Sequence, residues 1–287
     1  MDIDRLQRCT SVMYALVEFE VEQILEEGGY LRDVLSGTSV TRRIKQVTQP
    51  RGGYVKSKDL EAISLGDGIE TLNPNENVHA SLIGMTVDYL TRVMTGTSTG
   101  DAFAISLLGA EKIAMLDLAE SLLCDVDGLD DTSIVSAIRL SGFDVCYRSG
   151  VMHYKPVQNI NPDTDTVENV RTMVKRSLRF LNEYGPKTLD GFTFEGGYTK
   201  IVSAGDGDFM TEDTLWDFKV SKVRPTKDHT LQLLMYWRMG LYSIHPEFQN
   251  VRYLGIYNPR MNKVFRIAVA DIPQDVIDEV ETEVIGY

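Results

Sequence analysis

Apolar residues recur three and four apart near the start of the chain, where Leu6, Met13, Leu16, Val17, Val21 and Ile24 predict an amphipathic helix over about 4–28 that stops at Gly28-Gly29. From Ser36 to about Asn77 that pattern lapses. Polar residues and the glycine-bearing GTS, PRGG and GDG predict a hairpin or irregular loops there. A second helix is expected from Asn77 or His79 to about Met94, carrying Leu82, Val87, Leu90 and Val93. The stretch 101–123 is helical by pattern up to the acidic break DVDGLDD, and another helix follows at about 132–141. GFDVCYR then reads as a short strand or loop. Asp165 or Thr166 is placed to cap a helix over about 167–183, which Tyr184-Gly185-Pro186 ends.

After Pro186 the period shortens. Phe192–Phe194, Tyr198–Ser203, Asp208–Met210 and Thr214–Val220 are short β-prone runs separated by glycine or polar residues. A helix over about Asp228–Ser243 comes next, with Leu231, Leu234, Met235, Trp237 and Met239 as its apolar positions. Strands are expected at Val251–Tyr257 and Lys263–Val269, joined by NPRMN, and a last helix over about Gln274–Ile285. Helices first, then β–β–α–β–β, predict an α/β fold with a mixed central sheet flanked by helices. No internal repeat or low-complexity tract interrupts it.

Composition narrows the class. With 43% hydrophobic and 25% charged residues among 287, the chain can bury a sizeable core. It has no apolar run long enough for a membrane span and no signal-peptide core near its start, so a cytoplasmic protein is expected. Cys9, Cys124 and Cys146 are scattered, and the expectation is buried or incidental thiols rather than a disulfide framework or a zinc site. The net charge of −13 argues against nonspecific coating of nucleic acid. That charge is uneven, however. Between Arg148 and Gly240 there are 13 basic and 12 acidic residues, so the excess acid lies outside this segment.

The chemistry concentrates in AGDGDFMTEDTLWDFKVSK, residues 204–222. Residues two apart on a strand share a face, so Asp217 and Lys219 project together; a neighbouring strand can bring Asp208 to the same point. Two carboxylates and a lysine suit phosphodiester hydrolysis. Carboxylates hold Mg²⁺, the metal activates a bound water, and the lysine steadies developing negative charge. A cross-strand or solvated ion pair between Asp217 and Lys219 is the plainer alternative. Asp206-Gly207-Asp208 also opens like a calcium loop, but Met210 and Thr211 stand where a ligand and a glycine are needed.

The ordered motifs resemble the PD-(D/E)XK nuclease superfamily. Gly205-Asp206-Gly207-Asp208 is similar to its G-x-x-D, Asp217-Phe218-Lys219 to its D-x-K, and Gln232 to Tyr236 to the Q-x-x-x-Y helix of its RecB-like branch, which includes CRISPR-associated exonucleases. The resemblance covers about residues 196–240, with supporting strands to about 269. It implies a restriction-endonuclease-like core and a DNA nuclease using Mg²⁺ or Mn²⁺, with Asp208, Asp217, Lys219 and Gln232 catalytic. An exonuclease of phage or mobile-element type is the expected form, acting alone or beside a helicase or recombination partner. A catalytically silent nuclease fold that binds DNA or assembles with protein is the alternative.

Leu82-Ile83-Gly84-Met85-Thr86-Val87-Asp88 is similar to the branch's upstream helix and implies Asp88 as a metal ligand beside Asp208 and Asp217. The iron–sulfur variant needs three cysteines after the core, and none follows Cys146. On this reading residues 1–287 form one nuclease-like domain, its core about 78–96 plus 190–270 and a helical insertion about 97–189. Arg171, Lys175 and Arg179 form a helical stripe that, with Lys222 and Tyr236, offers a nucleic-acid contact; a solvated helix face is its plainer reading.

Overall fold

The computed structural model describes residues 37–66 and 71–287; the helix expected over about 4–28 lies outside them. The described residues divide into two compact units, a helical one within 71–178 and a sheet-bearing one of 37–66 and 179–287. The boundaries differ from those expected. The helix around 80–94, grouped by its motif with the sheet, belongs to the helical unit, and the polar 37–66 segment joins the sheet unit.

In chain order the sheet unit begins with β1 (Thr38–Ser39), α1 (Val40–Gln46) and β2 (Glu61–Ser64). The helical unit follows with α2 (Ala80–Met94), α3 (Thr99–Ala102), α4 (Ala104–Glu111), α5 (Leu116–Cys124), α6 (Asp131–Ser141) and α7 (Asp144–Arg148). Helix α8 (Thr164–Tyr184) carries residues of both units. The sheet unit resumes with β3 (Leu189–Thr193), β4 (Val202–Ala204), β5 (Asp206–Met210), β6 (Thr214–Phe218), α9 (Lys227–Tyr242), β7 (Tyr253–Asn258), β8 (Lys263–Ala268) and α10 (Gln274–Glu279), which runs on as a π-helical turn over Val280–Ile285.

Within the helical unit, caps explain the starts. His79 accepts from the Ser81 amide ahead of α2, and Asp130 accepts from Thr132 and Ser133 ahead of α6. Asp163, two residues before the expected cap, accepts from the Thr166 amide at 2.8 Å and starts α8 early. The run 101–123 is broken into three helices, with Ala114 in the left-handed region at φ 55° between α4 and α5. Apolar residues flank that turn on both sides, so periodicity passes through it unmarked. GFDVCYR, expected as strand or loop, contains helix α7. Its Asp144 is fully buried and accepts from the Tyr89 and Ser106 hydroxyls, which fixes the segment from other helices. Cys146 is a buried free thiol, in keeping with the expectation for it.

The sheet unit is α/β. Six strands run in the order β2-β8-β7-β6-β5-β3, all antiparallel except β6 and β7. That parallel pair needs a crossover, and α9 supplies it. A small parallel pair, β1 with β4, stands apart. Of the expected strand Tyr198–Ser203, only its end is in β4. Side chains alternate across β6. Leu215 enters a core with Leu231, Leu234 and Met235 of α9, while Trp216 enters a separate aromatic cluster with Phe180, Phe209 and Tyr257. Phe180 stacks on Tyr257 at 3.9 Å and meets Trp216 edge-on at 4.9 Å. Among the described residues no helix is long and apolar enough to cross a membrane.

Candidate active site

Strands β5 and β6 pair through Phe209↔Trp216 and Met210↔Leu215. Continuing that register by one residue sets Asp208 opposite Asp217, on the face that carries Met210 and Leu215 beneath α9. The strand pairing stops at this point. In its place the Asp208 carboxylate accepts from the Phe218 amide at 2.6 Å, so a side chain holds the two strands where the backbone ladder ends. On its other side β6 remains paired with β7, and the Lys219 amide donates to the Tyr257 carbonyl at 3.0 Å. The acids therefore sit where an opened strand pair meets an anchored one.

Asp217 is 2% exposed, and its Oδ1 lies 2.9 Å from the Lys219 ammonium, whose side chain is 28% exposed. Burial pulls the lysine's pKa down, but the charges of Asp217, Asp208 and Asp206 outweigh it and hold the group above its ordinary value. Lys219 is accordingly a fixed cation at neutral pH, fitted to stabilise negative charge and not to take up a proton.

Helix α9 lies over this face. Gln232 donates from Nε2 to the Tyr236 hydroxyl at 2.8 Å, and Tyr236 is buried against the Phe194 ring, 4.8 Å away. Burial, with the charges of Asp206, Asp217 and Asp208, pushes the Tyr236 hydroxyl well above its ordinary pKa, so it stays a neutral phenol. The pair thus joins the acids as hydrogen-bonding groups in the same electrostatic neighbourhood, while the tyrosine ring packs.

Two residues here escaped the motif reading. Asp206 is two before Asp208 on β5 and so shares its face, and its charge acts on both Lys219 and Tyr236. The alternation that paired Asp217 with Lys219 would have found it. His229 stands three before Gln232 and closes the capping box of α9 with Thr226. Its Nδ1 accepts from the Thr226 amide at 3.3 Å, which leaves the proton on Nε2. Burial and the Lys219 charge, opposed by Asp228, lower its pKa, so the ring is neutral at pH 7.

The remaining candidates are placed as follows. Asp88 is in the helical unit on α2, 3.5 Å from Arg92 one turn on. Arg171 is already engaged within its own unit, donating to the Leu129 carbonyl at 2.8 Å and pairing with Glu168 and Asp131. Lys175 and Arg179 are exposed on the same helix, and Lys222 is exposed in the loop after β6. Arg176, beside the stripe, is buried.

Among the described residues no three His, Cys, Asp or Glu side chains form a ready-made metal cage. The donor set at the β5–β6 opening is carboxylate oxygen. Such donors fit Mg²⁺ or Mn²⁺, which are commonly held by one or two carboxylates together with waters and substrate phosphates. Comparison with protein-family models, curated proteins and solved structures finds no match.

Proposed function

We propose that the sheet unit is a metal-dependent nuclease that hydrolyses DNA phosphodiester bonds, of the PD-(D/E)XK type and acting as an exonuclease. The observation that carries this reading is the convergence of Asp208, Asp217 and Lys219 where the β5–β6 ladder opens, with Gln232 and Tyr236 on the covering helix. An ordinary surface ion pair would need neither the burial of Asp217 nor a second carboxylate opposite it.

In this reading Asp208 and Asp217 would hold Mg²⁺ or Mn²⁺, which when bound would supply an activated water and shield the attacked phosphate. Asp208 is oriented for that by the Phe218 amide. Lys219, held cationic by its acidic neighbours, stabilises the charge that grows on the phosphoryl oxygens. Gln232 is aligned by Tyr236 and positions the water or the backbone phosphate. DNA reaches the site with help from the exposed Arg179 and Lys222 of the same unit. Arg171 contributes less, since its guanidinium already has three acceptors.

The test is cleavage of single- and double-stranded DNA, linear and circular, in Mg²⁺, Mn²⁺ or EDTA. Metal-dependent cutting that falls at least ~100-fold in Lys219→Ala is expected, since removing a preorganised charge donor typically costs that much. Spared circles establish exonuclease action. DNA binding without cutting in any metal would sink the catalytic reading and leave a binding module.

A further inference from the structure

The helical unit contains a cavity of about 460 Å³ lined by residues of that unit alone. Its size falls in the range of small-molecule sites, about 300–1,000 Å³. The start of α2, the end of α6, the first turn of α7 and the loop 153–161 form its walls. Leu82, Met85, Val145 and Ile160 make an apolar lining.

The walls are tied in place. Asn77 donates to the Asn161 carbonyl at 2.8 Å and accepts from the Asp163 amide at 3.0 Å. Arg139 donates to the Ile160 carbonyl and to Asn161 Oδ1, each at 3.0 Å. Ser141 donates to the Ala137 carbonyl at 2.9 Å and accepts from Thr86 at 3.2 Å. These polar groups serve the framework, so the concavity exists before any ligand enters.

Recognition then falls to the rim. In a chain with 42 acidic and 29 basic residues, no Asp or Glu among the described residues lines this cavity, whereas Lys155, His153 and His79 do. His79 accepts from the Ser81 amide and hydroxyl through Nδ1, so Nε2 carries the proton as a donor. The same residue caps α2, a 15-residue helix whose positive end is at the rim.

We propose that this cavity binds a small organic anion with an apolar body. The body rests on Leu82, Met85, Val145 and Ile160; the anionic head meets Lys155, His153 and the start of α2. The site is independent of the proposed nuclease centre and needs no metal.

Anilinonaphthalenesulfonate, an aromatic body bearing one sulfonate, is a suitable probe for the full-length protein. Saturable fluorescence enhancement at one probe per chain is expected. It should weaken at least tenfold in Lys155→Glu, an exposed position where folding is not at stake. N-phenylnaphthylamine, the same body without the sulfonate, should bind at least tenfold more weakly than the sulfonate. Val145→Trp, which fills the cavity, should abolish binding, with circular dichroism to check the fold. Displacement by a nucleoside monophosphate or by octanoate supports the site and tells a phosphate ligand from a carboxylate one. Binding that is absent, indifferent to Lys155→Glu and to loss of the sulfonate, or displaced by neither competitor overturns the proposal.

Discussion

Among the described residues each unit buries one carboxylate almost completely, and the two are handled in opposite ways. Asp144, in the helical unit, is fully enclosed; Tyr89 donates to it at 2.6 Å, Ser106 donates to its other oxygen, and Arg148 lies 3.4 Å away. It serves as a knot between α2, α4 and α7. Asp217, in the sheet unit, is 2% exposed with Lys219 as its ion-pair partner, and Asp208 lies opposite it in register. Asp206, Asp208 and Asp217 together outnumber that one lysine. A buried acid surrounded by donors is a structural solution, because its charge is solvated by fixed hydroxyls. A buried acid crowded by other acids makes a cluster that a cation would stabilise, as the proposed metal site requires.

Substitutions break that contrast in a definite order. Asp217→Asn should lower metal-dependent cleavage at least ~100-fold, the scale of losing one charged group from a preorganised site. Its thermal midpoint should change little, because Asp208 and Asp206 still face Lys219 once the charge of Asp217 is gone. Asp144→Ala should do the reverse. It leaves Tyr89 and Ser106 without their acceptor and should cost ~3–5 kcal/mol, as removal of one partner from a buried charged network does. Calorimetry should show that loss while cleavage per folded molecule changes little. If Asp144→Ala abolishes cleavage at unchanged stability, the division into structural and functional acids is wrong.

Asp144→Asn sharpens the comparison through pH. Burial lifts the Asp144 carboxyl above its ordinary value of 3.8, against the pull of Ser106, Tyr89 and Arg148. Between 3.8 and that raised value the folded protein binds a proton that the unfolded chain has released. The group's contribution to stability therefore falls as pH rises through the window and returns on acidification. Wild type should gain stability relative to Asp144→Asn as pH drops from 7 toward 4, measured by denaturant unfolding.

The smallest effect concerns the helix over the site. Gly240 in α9 would gain up to ~1 kcal/mol of helix propensity as alanine. The added methyl would collide with the Phe248 ring, and overpacking costs ~1–3 kcal/mol. Gly240→Ala should thus destabilise by ~1 kcal/mol and lower cleavage modestly by shifting Gln232 and Tyr236. A stabilised Gly240→Ala would mean that Phe248 yields.

Much of the site was legible because it depends on local spacing. Asp217 and Lys219 are two apart on one strand, and Gln232 and Tyr236 are four apart on one helix. A periodicity of two or of 3.6 puts such pairs on a common face whatever the rest of the chain does. Asp206, two before Asp208 on the same strand, is equally legible by the same rule. His229 was not, because its neutrality comes from burial and from Lys219, both products of packing. The stripe on α8 marks another limit. Spacing aligns Arg171 with Lys175 and Arg179, but Asp131 and the Leu129 carbonyl, some forty residues earlier in sequence, occupy the guanidinium.

The same division holds for the fold. Hydrophobic period alone determined that the class is α/β and roughly where α2, α6, α8, α9 and β5 to β8 lie. Tertiary structure decided the rest: the helical state of α7, the break at Ala114, the edge pairing of β2 with β8, and the grouping of α2 with the helices. The physical reason is range. Periodicity reports which face of an element avoids water, whereas these outcomes depend on which distant partner that face meets, through hydrogen bonds and packing between residues far apart in the chain.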